Sequence, residues 1–318
     1  MPHNEIDVPL IESMDALIKR AREISSLGDP LRVAVAAAHD EAVIDAVIAA
    51  QKEGIAEGIL VGDPDKIIEI LEKEGAKPGE FKVLATKNDV QTAETVAEAC
   101  SKGTADLILK GLINTGTLLK SVLNQKYGLR REGGLLSHTA ILSPVRYSKL
   151  LAVTDGGMVI KPTFNQKVEI IRNSVLVLWA LGVKIPRVAV LAPIDQVIAD
   201  FPETFEAAAL SKMADRKQLK SCLIDGPMSF DTAVWPTTLE FRDIESPVAG
   251  HADIVVAQSI EQGNILAKSL VQFGDADFAG VIMGAGVPIS LVSRADNAFN
   301  KMISIALAVV VSHYLKKV

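Results

Sequence analysis

The sequence predicts an α/β protein with a largely parallel sheet and helices on both of its faces. Runs such as LRVAVAAA, ADLILKG, PRVAVLAP and ADIVVAQ are apolar without alternation, as strands buried on both faces must be. Between them lie segments such as IESMDALIKRAREI and DKIIEILEKEG, whose apolar residues recur at helical spacing among charged ones. The chain of 318 residues is 49% hydrophobic but only 4% aromatic, so its core rests on small aliphatic side chains, and its length favours two domains over one.

Taken in order, IESMDALIKRAREI predicts a surface helix and LRVAVAAA a buried strand, with His39 and Asp40 just beyond its end. DEAVIDAVIAAQKEG predicts a helix closed by Gly54, and AEGILVGDP a strand ending in a turn. DKIIEILEKEG, FKVLAT, VQTAETVAEACSKG and ADLILKG continue the alternation of helix and strand. After the polar, glycine-rich LRREGGLLSHTA come a strand in KLLAVTDGG, a helix in NQKVEIIRNSVLVLWALG and a strand in PRVAVLAP. A helix in ETFEAAALSKMADR, strands in KSCLIDGP and ADIVVAQ, and a last unit from GNILAKSLVQFG through FAGVIMG complete the series.

Lys plus Arg number 33 against 39 acids, and the formal charge of -6 is spread without a basic block. That balance argues against a nucleic-acid backbone as partner. Cys100 and Cys222 stand far apart and offer neither a disulfide framework nor a zinc cluster, and no other set of metal ligands stands out. The opening MPHNEIDVPL lacks a signal-peptide pattern, and the apolar ISIALAVVV is short for a membrane span, so a cytoplasmic protein without membrane association is expected.

Ligands of such sheets collect beyond the carboxyl ends of strands, which directs attention to the segments after Leu109, Val153 and Met283. KGLINTGTLLKSV sets Lys110, Gly111, Asn114 and Thr115 where backbone amides and one ammonium can hold an anion; Thr115 or Thr117 can equally cap a helix there. In DGGMVIKPTFNQK, Asp155 precedes two glycines that can admit a ligand close to the backbone or simply make a turn. His138 can donate to a substrate or pack in the core. In LVSRADNAFNKM, Arg294 offers a rigid cationic fork suited to phosphate beside Ser293, while Asp296 sits where a helix start would place an acid.

Three longer stretches raise the weight of these residues: IDGPMSFDTAV (224–234), SPVAGHADIVVAQSIEQGNILAKSLVQFG (246–274) and GVIMGAGVPISLVSRAD (280–296). With LLSHTAIL and LLAVTDGGMVIKPTFNQKVEIIRNSV, they resemble the phosphate acetyltransferase and phosphate butyryltransferase family, and the butyryltransferase branch most. The resemblance implies reversible acyl exchange between coenzyme A and inorganic phosphate, with coenzyme A as substrate, no tightly bound cofactor and no metal. It implies a homodimer and an isocitrate/isopropylmalate dehydrogenase-like architecture of two α/β domains with a central cleft. The first domain is then residues 1–140 with 291–318, and the second, 141–290, is inserted into it.

By the same resemblance, Ser293 positions the coenzyme A sulfur and Arg294 binds phosphate and the charge developing on the transferred group. The acetyltransferases carry a carboxylate seven residues after that serine. Asn300 stands there in this chain and cannot act as an ordinary base, which leaves Asp296 as the acidic candidate. Glu261, Gly263 and Asn264 match a signature that organises the site, with a helix beginning near Asn264, and Gly226, Pro227 and Asp231 match a family turn. Three other readings compete: an acetyl-specific enzyme, a metal-dependent NAD(P) decarboxylating dehydrogenase, and a noncatalytic coenzyme A-binding protein.

Overall fold

The computed structural model describes residues 6–131, 133–291 and 296–318. The chain forms two compact units, one of residues 14–134 and 279–317, the other of residues up to 13, 135–278 and 318. Both are mixed α/β.

The first unit begins with α1 (Met14–Ser26). The helix starts three residues later than the apolar spacing suggests, and the Ile11 amide before it donates to the Leu181 carbonyl at 2.9 Å. Then come β1 (Arg32–Ala36), α2 (Glu41–Lys52), β2 (Glu57–Gly62), α3 (Pro64–Lys73), β3 (Lys82–Ala85), α4 (Asp89–Ser101), β4 (Leu107–Lys110) and α5 (Thr115–Val122). Side-chain oxygens start these helices: Asp40 takes the Val43 amide at 3.0 Å, Asp63 caps α3 with Pro64 behind it, and Asn88 caps α4. β3, β2, β1 and β4 lie side by side in that order, all parallel.

The second unit holds β5 (Ser137–Ser143), β6 (Leu151–Thr154), α6 (Phe164–Ala180), β7 (Arg187–Leu191), α7 (Pro202–Asp215), β8 (Leu223–Met228), α8 (Phe230–Val234), β9 (Ile254–Val256) and α9 (Ile260–Phe273). Its strands run in the order β5, β6, β9, β7, β8; β5 and β6 are antiparallel and the others parallel. β5 escapes the apolar pattern because it opens on Ser137, His138 and Thr139, polar residues that are nevertheless buried. A capping box of Thr163 and Gln166 begins α6.

β10 (Asp277–Met283), β11 (Ile289–Ser290) and α10 (Ala298–Leu315) follow, and β11 lies parallel to β4 and antiparallel to β10 in the first unit. α10 corrects one expectation. ISIALAVVV is the middle of an 18-residue helix that is long and apolar enough to cross a membrane, yet 78% of it is buried, packed on α1, α2 and β11. Burial within the fold accounts for its apolarity.

Candidate active site

In the first unit the strand ends are tied together by backbone. Gly111 donates to the Ala36 carbonyl at 2.9 Å and Leu112 to the Ala37 carbonyl at 3.0 Å. A Cβ at Gly111 would lie 2.3 Å from the Ala37 oxygen, so only glycine fits. Ala37 itself takes the left-handed φ of 57° that this crossing requires. Lys110, half-buried, donates to the Gly111 carbonyl at 3.1 Å. Neither Thr115 nor Thr117 caps the helix that follows. Asn114 does so, accepting the amides of Gly116 at 2.8 Å and Thr117 at 3.4 Å.

Two of the family-derived catalytic candidates, Ser293 and Arg294, lie outside the described residues. Asp296 does not cap α10, contrary to its simpler sequence reading. Asn297 does, taking the Asn300 amide at 2.8 Å, while the Asp296 carbonyl accepts from the buried Lys301 ammonium. Asn300 is buried, and its carbonyl accepts from Ser304 Oγ at 2.7 Å.

The second unit gathers four candidates, His138, Asp155, Gly263 and Asn264, around one turn. Asp155 is buried, and its carboxylate closes the glycine turn after β6. Oδ1 accepts from Gly157 at 2.7 Å and Met158 at 2.9 Å, while Oδ2 accepts from Val159 and His138, both at 3.2 Å. These amides are therefore satisfied by the chain's own carboxylate. Gly156 lies against α9, where its Cβ would come 2.7 Å from the Gly263 carbonyl carbon. Asn264 Nδ2 donates to the Gly156 carbonyl at 3.1 Å. His138 is buried with its ring stacked on Phe278 at 6.2 Å, and Gly157 leaves room for that ring.

α9 begins at Ile260, capped by Ser259, four residues before the start expected at Asn264. Glu261 is exposed in its first turn, and its carboxyl is held below the usual range by the Ser259 hydroxyl, its own amide and the Lys161 charge. Gly226 and Pro227 form no turn; they lie inside β8, joined by a cis peptide. A Cβ on Gly226 would meet the Val190 oxygen at 2.7 Å, so the glycine serves the packing of β8 on β7. Asp231 sits in α8, where its carboxylate pairs with Arg242 at 3.1 Å. The Ser229 hydroxyl, more than Arg242, lowers its pKa.

Two polar clusters escaped the sequence reading. Asp195, 6% exposed, accepts from the Ser229 amide at 2.7 Å, the Thr232 hydroxyl at 3.3 Å and Arg242. Lys167, 3% exposed, donates to Glu206 at 2.5 Å and to Gln258, whose own amide is held by Gln262 of α9. A lone aspartate in LAPIDQ and a lone lysine in a helical run carry no local signal of burial. Among the described residues, no group of three or more His, Cys, Asp or Glu could hold a metal ion.

Comparison with known proteins decides the family. Residues 65–309, which include every candidate discussed above, match the model of the Phosphate acetyl/butaryl transferase family. The chain belongs to this family. It is 39% identical over 303 residues to a phosphate butyryltransferase of Clostridium acetobutylicum, covering 95% of this chain and 99% of that protein. A phosphate acetyltransferase of Thermotoga maritima is 38% identical over 93% of this chain and 99% of its own length. Among solved structures, a branched-chain phosphotransacylase from Enterococcus faecalis superposes with a TM-score of 0.80 at 28% identity, over 89% of this chain and 99% of that one.

Proposed function

We propose that this enzyme is a phosphate acyltransferase that moves a short acyl group, butyryl or similar, reversibly between coenzyme A and inorganic phosphate. The observation that carries this reading is the near full-length similarity to a phosphate butyryltransferase. A phosphate oxygen attacks the thioester carbonyl, the new C–O bond forms and the C–S bond breaks. Coenzyme A then leaves as a thiolate that takes up a proton; the reverse reaction is thiolate attack on the acyl phosphate.

In this reading Ser293 orients the sulfur, and Arg294 with Lys110 and the Gly111–Thr115 segment neutralises phosphate. Asp296 is the acidic group nearest the serine-arginine pair in sequence. Asp155, Gly263 and Asn264 act by fixing the β6 turn on α9, and His138 by packing beneath it. The domain division, the dehydrogenase-like architecture, the homodimer and the cytoplasmic location expected from the sequence belong to the same proposal.

A preference for acetyl is the second reading, favoured by the similarity to an acetyltransferase, and the Enterococcus protein adds branched acyl groups to the comparison. Release of free thiol from acetyl-, butyryl- and isobutyryl-CoA, with and without phosphate, tests all three. Phosphate-dependent release ranked butyryl above acetyl supports the proposal. The inverse ranking selects the acetyltransferase reading, and release independent of phosphate refutes acyl transfer to phosphate.

A further inference from the structure

The second unit contains a cavity of about 250 Å³ that the reaction above does not use. Tyr147, Leu151, Phe230, Val234, Trp235 and Leu270 wall it. The chain has only nine Phe, three Tyr and two Trp, so three aromatics converging on one small cavity is a concentrated use of them. These rings are only partly buried, packed at the edge of a core formed by residues such as Leu142, Val153 and Val255. Tyr147 contributes its ring alone, since its hydroxyl donates to the Ala252 carbonyl at 2.7 Å.

Two charged side chains line the same cavity. Asp231 is committed to Arg242 at 3.1 Å. Arg146 is exposed, its guanidinium lies 5.5 Å from the centre of the Trp235 ring, and it makes no ion pair among the described residues. An aromatic face orients a guanidinium without neutralising it, so the uncommitted charge at this apolar cavity is positive.

We infer that this cavity is a binding site for a small apolar monocarboxylate, with its body against Trp235, Phe230 and Leu270 and its carboxylate on Arg146. At about 250 Å³ the cavity has room for an aryl or branched aliphatic acid and is too small for coenzyme A. The cavity has few polar groups of its own, which excludes sugars and polyanions. The inference does not depend on acyl transfer, and a failure of either leaves the other standing.

Calorimetric titration of the full chain with phenylacetate, and with its neutral counterpart phenylacetamide, tests it. One phenylacetate should bind per chain, with phenylacetamide at least about tenfold weaker. Arg146→Met, at an exposed position, should weaken phenylacetate by a similar factor and leave phenylacetamide unchanged. Leu270→Trp, which fills the cavity, should abolish both. Equal affinity for acid and amide, no binding of either, or indifference to Arg146→Met would overturn the site. So would self-association abolished by Leu270→Glu, which would assign the face to a second copy of the chain.

Discussion

Gly156 and Gly263 meet backbone to backbone: a Cβ on Gly156 would fall 2.7 Å from the carbonyl carbon of Gly263, and one on Gly263 would fall 2.5 Å from the Asp155 oxygen. Neither chain can retreat, because Asp155 pins one side through four amides and Ser259 caps the helix that carries the other. Gly263→Ala should therefore cost about 1–3 kcal/mol in stability by overpacking. Where the protein stays folded, and with the β6 turn and α9 shaping the site as proposed, kcat/KM should fall at least about tenfold. Urea unfolding and initial rates on one preparation check both effects.

Asp155 is a structural carboxylate that closes the turn after β6. Asp155→Ala leaves the amides of Gly157, Met158, Val159 and His138 without their acceptor. The His138 amide is buried and the other three are part-buried, so at roughly 1–3 kcal/mol for a buried donor left unmet and less for those that water reaches, the loss should be about 2–4 kcal/mol. Asp155→Asn keeps one acceptor oxygen and should lose less. Comparison of the two melting temperatures measures the difference.

Asp106 ties three elements of the first unit, accepting from the Arg32 amide at 2.8 Å, Arg32 Nε at 3.2 Å and Lys316 at 2.6 Å. Burial alone would raise its pKa, but hydrogen bonds from Lys316 and Arg32 outweigh that and lower it. Its stabilisation is thus present above the ordinary carboxylate pKa of 3.8 and lost as pH falls through the lower folded value. Asp106→Asn should cost about 2–3 kcal/mol at neutral pH, with both cations partly exposed and able to hydrate. The deficit should vanish in strong acid, which a pH series of urea midpoints reads directly.

His313 titrates in a milder range. Its Nε2 is buried without a hydrogen-bond partner among the described residues, and burial, then Lys317, Arg20 and Lys316, hold its pKa below the ordinary 6.5. The native state therefore binds the proton less readily than the unfolded chain. Stability from the neutral ring is complete above pH 6.5 and declines as pH falls through that value toward the folded pKa. His313→Gln should flatten the loss of urea midpoint between neutral pH and about pH 5.

The cysteines should be dispensable for chemistry. Burial pushes the Cys100 thiol up to about 12 and the Cys222 thiol to about 11, so neither forms a thiolate nucleophile near neutral pH. The Cys100→Ala, Cys222→Ala protein should retain kcat within about twofold, with slow alkylation of the wild type as the accompanying check.

Strand and helix identities were legible where one residue's neighbours carry the signal. LRVAVAAA reads as β1 because both faces are apolar, and DKIIEILEKEG as α3 because its apolar residues recur at helical spacing. β5 was hidden because Ser137, His138 and Thr139 are buried by partners far along the chain. Gly111 and Gly263 were visible as glycines, but the reason for them, the Ala37 and Asp155 carbonyls, exists only in three dimensions. The caps offered by Thr115 or Thr117 and by Asp296 fall to Asn114 and Asn297, and the helix expected to begin near Asn264 is capped by Ser259, each cap reaching amides two or three residues ahead. Asp195 and Lys167 gave no signal, since burial of a charge depends on donors and acceptors supplied by other elements.

Acyl transfer to phosphate is tested most directly by phosphorus NMR of the enzyme with butyryl-CoA and inorganic phosphate. The account predicts an acyl phosphate resonance that grows in step with free thiol, and its disappearance when coenzyme A is added in excess. Release of thiol with the phosphate resonance unchanged would mean that water is the acceptor, and would contradict the account.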